Sequence, residues 1–300
     1  MREIAVVDRI RKLAAQTADT RRLIRGIGDD CAILRPRPKH DLVFTTDFVL
    51  ERKHFELNSH TPADVGHKAL ARSLSDLAAM GSEPLFCLVS LAMPASLGER
   101  WVDGFYRGLL RLASRYRIAL AGGDLARFDH VVADVMCCGE VPRGKALERR
   151  GARPGHRIYV TGELGGSARG LSTRKGMAWK RHLRPEPRIA AGLLLRGLRA
   201  SSCMDLSDGL ALDLHRLCRE SGVTANLTGT VPIARGASLD DALYGGEDYE
   251  LLFTAPPKVK IPGELGTLRV TEIGEIATGR PGRVTWAGDV LQPKGFDHFT

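Results

Sequence analysis

Apolar residues recur at helical spacing over residues 1–25, 61–81, 97–116, 189–198 and 204–222, and these stretches predict helices. The second has the plainest ends, with Thr61 as N-cap, Pro62 at the first helical position and Gly81 as C-cap. Short runs rich in β-branched and aromatic residues predict strands at 31–34, 42–46, 85–93, 117–121, 130–141, 157–161, 223–227, 249–254, 268–276 and 283–286. A short helix is expected to end near Leu171, and the basic stretch 171–187 reads as a connector. Gly, Pro and charge concentrate between 142 and 155, which predicts a linker. Helices and strands mix on both sides of it. The expected fold class is therefore α/β, of the α+β type, in two domains over residues 1–142 and 143–300.

Acids beside Gly, Ser or Thr punctuate this pattern. They occur at Gly28-Asp29-Asp30, Thr45-Thr46-Asp47, Ser75-Asp76, Gly122-Gly123-Asp124, Met204-Asp205-Leu206-Ser207-Asp208-Gly209 and Gly245-Gly246-Glu247-Asp248. An acid at a helix start is stabilised by the helix dipole and needs no further role. Ser207 or Asp208 suits the N-cap of the helix that follows, and one such segment decides nothing. Six of them, spread along the chain, suggest one site gathered by the fold. Asp76 is the least comfortable, because it sits on an apolar helix face in the last turns, where the dipole opposes it. It needs a cation.

Composition narrows the class. Hydrophobic residues make up 43% and charged residues 26% of the 300, which is ordinary for a globular protein. No apolar run reaches the roughly 18–20 residues of a membrane helix. Residues 1–15 form an amphipathic pattern and not a signal peptide. The six Cys have no CxxC spacing, so reduced thiols and a cytoplasmic location are expected, and zinc is not. The net charge of +9 is dispersed, and no nucleic-acid-binding motif accompanies it.

Carboxylate and hydroxyl oxygens around Gly-rich turns are hard ligands suited to Mg²⁺, and Gly lets backbone N–H groups approach phosphates. GxxxxGK[ST], the protein-kinase HRD/DFG set, GxSxG and a Rossmann GxGxxG are all absent. His54 lies alone in a polar stretch.

Taken in order, the motifs carry a resemblance. They are Gly26-Ile-Gly-Asp-Asp-Cys-Ala-Ile-Leu34, Thr45-Thr-Asp47, His54-Phe55, Lys68-Ala-Leu70 and Leu74-Ser-Asp-Leu-Ala-Ala-Met-Gly81. Gly122-Gly-Asp124, Tyr159-Val-Thr-Gly162, Met204 to Leu210, Gly245-Gly-Glu-Asp-Tyr-Glu-Leu251 and Gly295-Phe-Asp-His-Phe299 follow. This set resembles the thiamine-monophosphate kinase family, in the superfamily of aminoimidazole ribonucleotide synthetase. The resemblance implies the two-domain synthetase-like fold, with the N-terminal domain forming a β-barrel interface in a homodimer. It implies a site in a cleft between the domains. The implied reaction is Mg²⁺-dependent, direct in-line transfer of the ATP γ-phosphoryl group to thiamine monophosphate, with no membrane or nucleic-acid partner.

By matching position it implies several Mg²⁺ ions on Asp30, Thr45, Thr46, Asp47, Asp76, Asp124, Asp205 and Asp208. ATP contacts fall on Gly123, Asp124, Arg149 (or the adjacent Arg150) and Ser207, and acceptor contacts on His54, Glu247 and Phe296. No general base is implied: the acceptor is a phosphate already ionised at neutral pH. The chain departs from the family pattern at Arg52-Lys53 before His54, at His67 and at His156.

Overall fold

The computed structural model describes residues 3–15, 22–27 and 31–296. They fall into two compact units, the first from residues 1–77 and 83–144, the second from residues 78–82 and 145–300.

The first unit begins with α1 (Glu3–Ala15), followed by β1 (Leu23–Arg25), β2 (Ile33–Leu34), β3 (His40–Leu50), α2 (Pro62–Ala79), β4 (Glu83–Met93), α3 (Gly98–Arg115), β5 (Ala119–Arg127) and β6 (Val132–Pro142). The helix expected over 1–25 is shorter. Residues 23–25 pair antiparallel with Ile33–Leu34 instead, where the backbone gains sheet partners. The main sheet runs β3-β6-β4-β5, antiparallel except for the parallel β4–β5 pair. β5 extends past the expected end at 121, because parallel pairing with β4 carries the backbone through Gly122, Gly123 and Asp124.

One face of this sheet is buried, through Cys87, Val89, Leu91, Ala133, Val135 and Cys137. Ser73 of α2 donates to the Val135 carbonyl at 2.7 Å, which seats α2 over that face. The start of α2 is reciprocal: the Asp64 N–H donates to Thr61 Oγ1 at 3.2 Å and the Thr61 N–H to Asp64 Oδ2 at 3.0 Å. α2 and α3 approach so closely that a Cβ on Gly66 would lie 2.0 Å from the Phe105 carbonyl oxygen, and one on Gly108 2.0 Å from that of Ala63. Neither position admits a side chain.

The second unit holds β7 (Arg157–Thr161), α4 (Gly166–Thr173), α5 (Gly176–Leu183), α6 (Ile189–Leu198), β8 (Ser202–Asp205), α7 (Leu210–Ser221), β9 (Thr224–Leu227), α8 (Leu239–Tyr244), β10 (Leu251–Ala255), β11 (Glu264–Leu265), β12 (Leu268–Ala277), β13 (Val284–Trp286) and β14 (Asp289–Val290). Its sheet has the order β14-β13-β9-β12-β7-β10-β8, with β11 on β12. The core lies between this sheet and α7, where Ile158, Val160, Leu252 and Ile273 meet Leu210, Leu214 and Leu217. The stretch 171–187, expected as a connector, contains the helix α5. Among the described residues no helix is long and apolar enough to cross a membrane.

Candidate active site

In the first unit the strand period sorts the proposed ligands. Successive side chains of β3 point to opposite faces. Thr45 and Asp47 share the α2 side, where α2 presents Arg72 and Asp76 one turn apart. The Thr45 hydroxyl donates to Asp76 Oδ2, and Arg72 Nη2 donates to Asp47 Oδ1 at 3.2 Å. Arg72, one turn before Asp76, is thus ion-paired to Asp47, and Asp76 accepts from Thr45. Thr46 turns the other way and donates its hydroxyl to Asp134 of β6. Asp134 and Ser90 are register partners, as are Ser90 and Asp124, so Asp124 lies in the same cross-strand row on that open face. Thr45, Asp47 and Asp76 therefore form one oxygen group, and Thr46 and Asp124 lie on the opposite side of the sheet.

His54 sits in the turn after β3 and is only 5% exposed. Its Nδ1 accepts from the Leu50 N–H at 2.9 Å, and its carbonyl accepts from the buried Lys68 Nζ at 3.1 Å. The polar stretch expected there is a tight turn anchored on α2. Asp30 lies outside the described residues.

In the second unit three loops converge. Asp205 closes β8 and is buried, and residues 206–209 turn into α7. The Glu247 N–H donates to the Ser207 carbonyl at 2.7 Å, and the Phe296 N–H donates to that of Asp208 at 3.0 Å. Ser207, Asp208, Glu247 and Phe296 are thereby brought together. The α7 N-cap is Gly209, at φ 118°, and neither Ser207 nor Asp208 as expected. An L side chain is strained there. Asp213, one turn into the helix, supplies the missing acceptor: its Oδ2 takes the N–H groups of Asp208 and Gly209 at 3.0 and 3.1 Å. Arg216 bridges Asp208 and Asp213. Arg150 is ion-paired to Glu148, whereas Arg149 is exposed and its carbonyl accepts from Ser221 Oγ at 3.0 Å.

Burial pushes the Asp213 carboxyl up to about 7, with the Asp208 charge adding to the rise and the two N–H groups and Arg216 opposing it. A raised folded-state value favours the protonated native form. Its stabilising effect is complete below the unfolded value of 3.8 and is lost as pH rises through about 7. In metal-free buffer, the wild-type protein should therefore lose stability relative to Asp213→Asn between about pH 4 and pH 7, by roughly 2–4 kcal/mol. Urea unfolding of both proteins across that range checks this; a pH-independent difference contradicts it.

Among the described residues no three His, Cys, Asp or Glu side chains form a cation cage. The donors present still suit Mg²⁺, which typically takes one or two carboxylates and completes its shell with water and substrate phosphates. The Thr45, Asp47 and Asp76 oxygens have that composition.

Family patterns for AIR synthase related proteins match most of the chain, the N-terminal domain over residues 28–141 and the C-terminal domain over 153–287. The thiamine-monophosphate kinase of Escherichia coli K12 is 39% identical over 308 residues, covering 91% of each chain. The chain belongs to the thiamine-monophosphate kinase family. A crystal structure of thiamine-monophosphate kinase from Stenotrophomonas maltophilia superposes with a TM-score of 0.85 at 36% identity, covering 96% of this chain and 98% of that one. The structure of AaThiL complexed with AMPPCP and TMP has a TM-score of 0.80 at 33% identity and covers 100% and 99%. In this member of the thiamine-monophosphate kinase family, Arg72, Asp134, Asp213 and Arg216 also contact the proposed site residues, although no sequence motif marks them. Helical spacing was the available signal for three of them: Arg72 lies one turn before Asp76, and Asp213 and Arg216 lie on successive turns after Asp208–Gly209; Asp134 is placed beside Thr46 only by the pairing of β6 with β3.

Proposed function

We propose that the protein transfers the γ-phosphoryl group of ATP to the phosphate of thiamine monophosphate, giving thiamine diphosphate and ADP. The observation that carries this is whole-chain similarity to a structure holding both AMPPCP, an ATP analogue, and TMP. The two-domain AIR synthase-like fold and the acid-rich turns are consistent with it. The acceptor oxygen is already ionised, so the reaction needs charge neutralisation and alignment and no strong base.

Asp30, Thr45, Thr46, Asp47, Asp76, Asp124, Asp205 and Asp208 would hold Mg²⁺, with Thr45, Asp47 and Asp76 as one subset and Asp205 with Asp208 as another. When bound, Mg²⁺ offsets phosphate charge on both substrates. Arg72 fixes the Asp47 carboxylate, and Asp213 with Arg216 fixes the turn that presents Asp208. Gly123, Asp124, Arg149 and Ser207 would contact ATP. His54, Glu247 and Phe296 would contact the acceptor, Phe296 by stacking on a heteroaromatic ring. The open face of the β3-β6-β4-β5 sheet, where Phe44 and Phe48 are 61% and 55% exposed, supports a homodimer built by pairing this face with its copy in a β-barrel.

The test is a steady-state assay with ATP, Mg²⁺ and either thiamine monophosphate or free thiamine. Product is expected with the monophosphate, dependent on Mg²⁺, and not with free thiamine. Phosphorylation of free thiamine instead would overturn the acceptor assignment.

A further inference from the structure

The loop that carries Glu247 is gripped by a helical hairpin. α4 and α5 pack so tightly that a Cβ on Gly170 would fall 2.2 Å from the Ala178 carbonyl oxygen. Asp248, the next residue, accepts from the Gly165 and Ser167 N–H groups at the α4 N-terminus, at 2.5 and 3.1 Å. Glu250 is wholly buried and accepts from Arg181 at 3.0 Å, from Arg188 at 2.5 and 2.9 Å, and from Thr161 Oγ1 at 2.7 Å. These bonds hold the loop backbone without help from Glu247.

The Glu247 side chain has its own holder. His182, in the last turn of α5, is 3% exposed. Its Nδ1 lies 2.9 Å from Ser167 Oγ and 3.5 Å from Glu247 Oε2. Its ring stacks on Trp179, with centroids 5.2 Å apart and planes at 12°. A buried ring, fixed by stacking and by a hydroxyl, thus faces one oxygen of a carboxylate whose backbone is already set. A Glu side chain carries about 1.5–2 kcal/mol of rotamer entropy, and holding it in advance spares a ligand that ordering cost. The acceptor carries a cationic thiazolium and an aminopyrimidine, and both groups suit a fixed carboxylate.

We propose that His182, held by Ser167 and Trp179, is a positioning residue that fixes the Glu247 carboxylate for the acceptor and so sets acceptor affinity. The proposal rests on the reading of Glu247 as an acceptor contact. It gives the α4–α5 hairpin a part in acceptor recognition.

The test compares His182→Leu, His182→Asn, Ser167→Ala, Glu247→Gln and the His182→Leu/Glu247→Gln double variant in the full-length enzyme. His182→Leu should raise KM for thiamine monophosphate about tenfold while KM for ATP and kcat stay within about twofold. His182→Asn, whose amide reaches the Nδ1 position, should restore most of the affinity. Ser167→Ala, a small change in a packed site, should move the acceptor KM in the same direction by about threefold. In the Glu247→Gln background, His182→Leu should add less than about twofold. Equal loss for both substrates in His182→Leu, or an undiminished effect in the double variant, would overturn the positioning role. An unchanged acceptor KM in Glu247→Gln would instead sink the contact reading on which it rests. A His182→Leu protein that does not fold leaves the decision to the Asn and Ala variants, and unchanged acceptor KM in Ser167→Ala would overturn the proposal.

Discussion

Asp76→Asn should lower turnover by about a thousandfold or more and leave the thermal unfolding midpoint within a few degrees of wild type. The substitution keeps the size of the side chain and an oxygen able to accept from Thr45. It removes the negative charge that the Thr45, Asp47 and Asp76 oxygen group offers to Mg²⁺. Loss of that charge affects the step in which phosphate charge is neutralised far more than it affects packing. Arg72 sharpens the expectation, because it remains beside Asp47 and its positive charge is then opposed by one carboxylate fewer. Turnover at saturating substrates and a melting curve check both parts. Near wild-type turnover would show that Asp76 is not part of the cation site.

Glu250→Leu should destabilise the fold by about 3–5 kcal/mol. Glu250 is the buried acceptor of Arg181, Arg188 and Thr161, and a Cβ on Gly162 would fall 2.2 Å from its Oε1. Removing the carboxylate leaves two partly buried guanidinium groups and a buried hydroxyl without their shared acceptor. The network ties α5 and the residue before α6 to β7 and to the residue before β10. Urea unfolding measures the loss, and a change below about 1 kcal/mol would mean that the network contributes little net stability.

Much of the architecture was legible in the sequence where local signals agreed. Thr61-Pro62 marks the start of α2, and the apolar period carries it to Ala79. β7 and α6 occupy the residues that periodicity assigns. Legibility failed where tertiary pairing overrode local preference. Leu23–Arg25 left the expected helix to pair with β2, and Gly122–Asp124 joined a strand because β4 lay beside it. α5 was hidden because its eight residues open on Gly176 and stop just before Pro185 in a strongly basic stretch, and one of its anchors, Glu250, is distant in sequence. α8, at six residues, is too short for a period to show.

The candidate site was legible as a set of residue types and not as an arrangement. The Asp-Gly and Thr-Asp segments announce oxygen ligands. They do not announce that adjacent Thr45 and Thr46 serve opposite sides of a sheet, which follows only once residues 40–50 are known to be a single strand. Nor does a local motif tell that Asp213, four residues beyond Gly209, caps the turn presenting Asp208. The partners Arg72, Arg216 and His182 are set by helix geometry and long-range contact. Each stands beside an acid that the sequence did mark.

The most direct measurement follows the phosphorus itself. With ATP labelled at the γ-phosphate, Mg²⁺ and thiamine monophosphate, the label should appear in the terminal phosphate of thiamine diphosphate, one per ADP formed. Label released as inorganic phosphate, or ATP left intact while both substrates bind, would contradict the assignment of phosphoryl transfer to this acceptor.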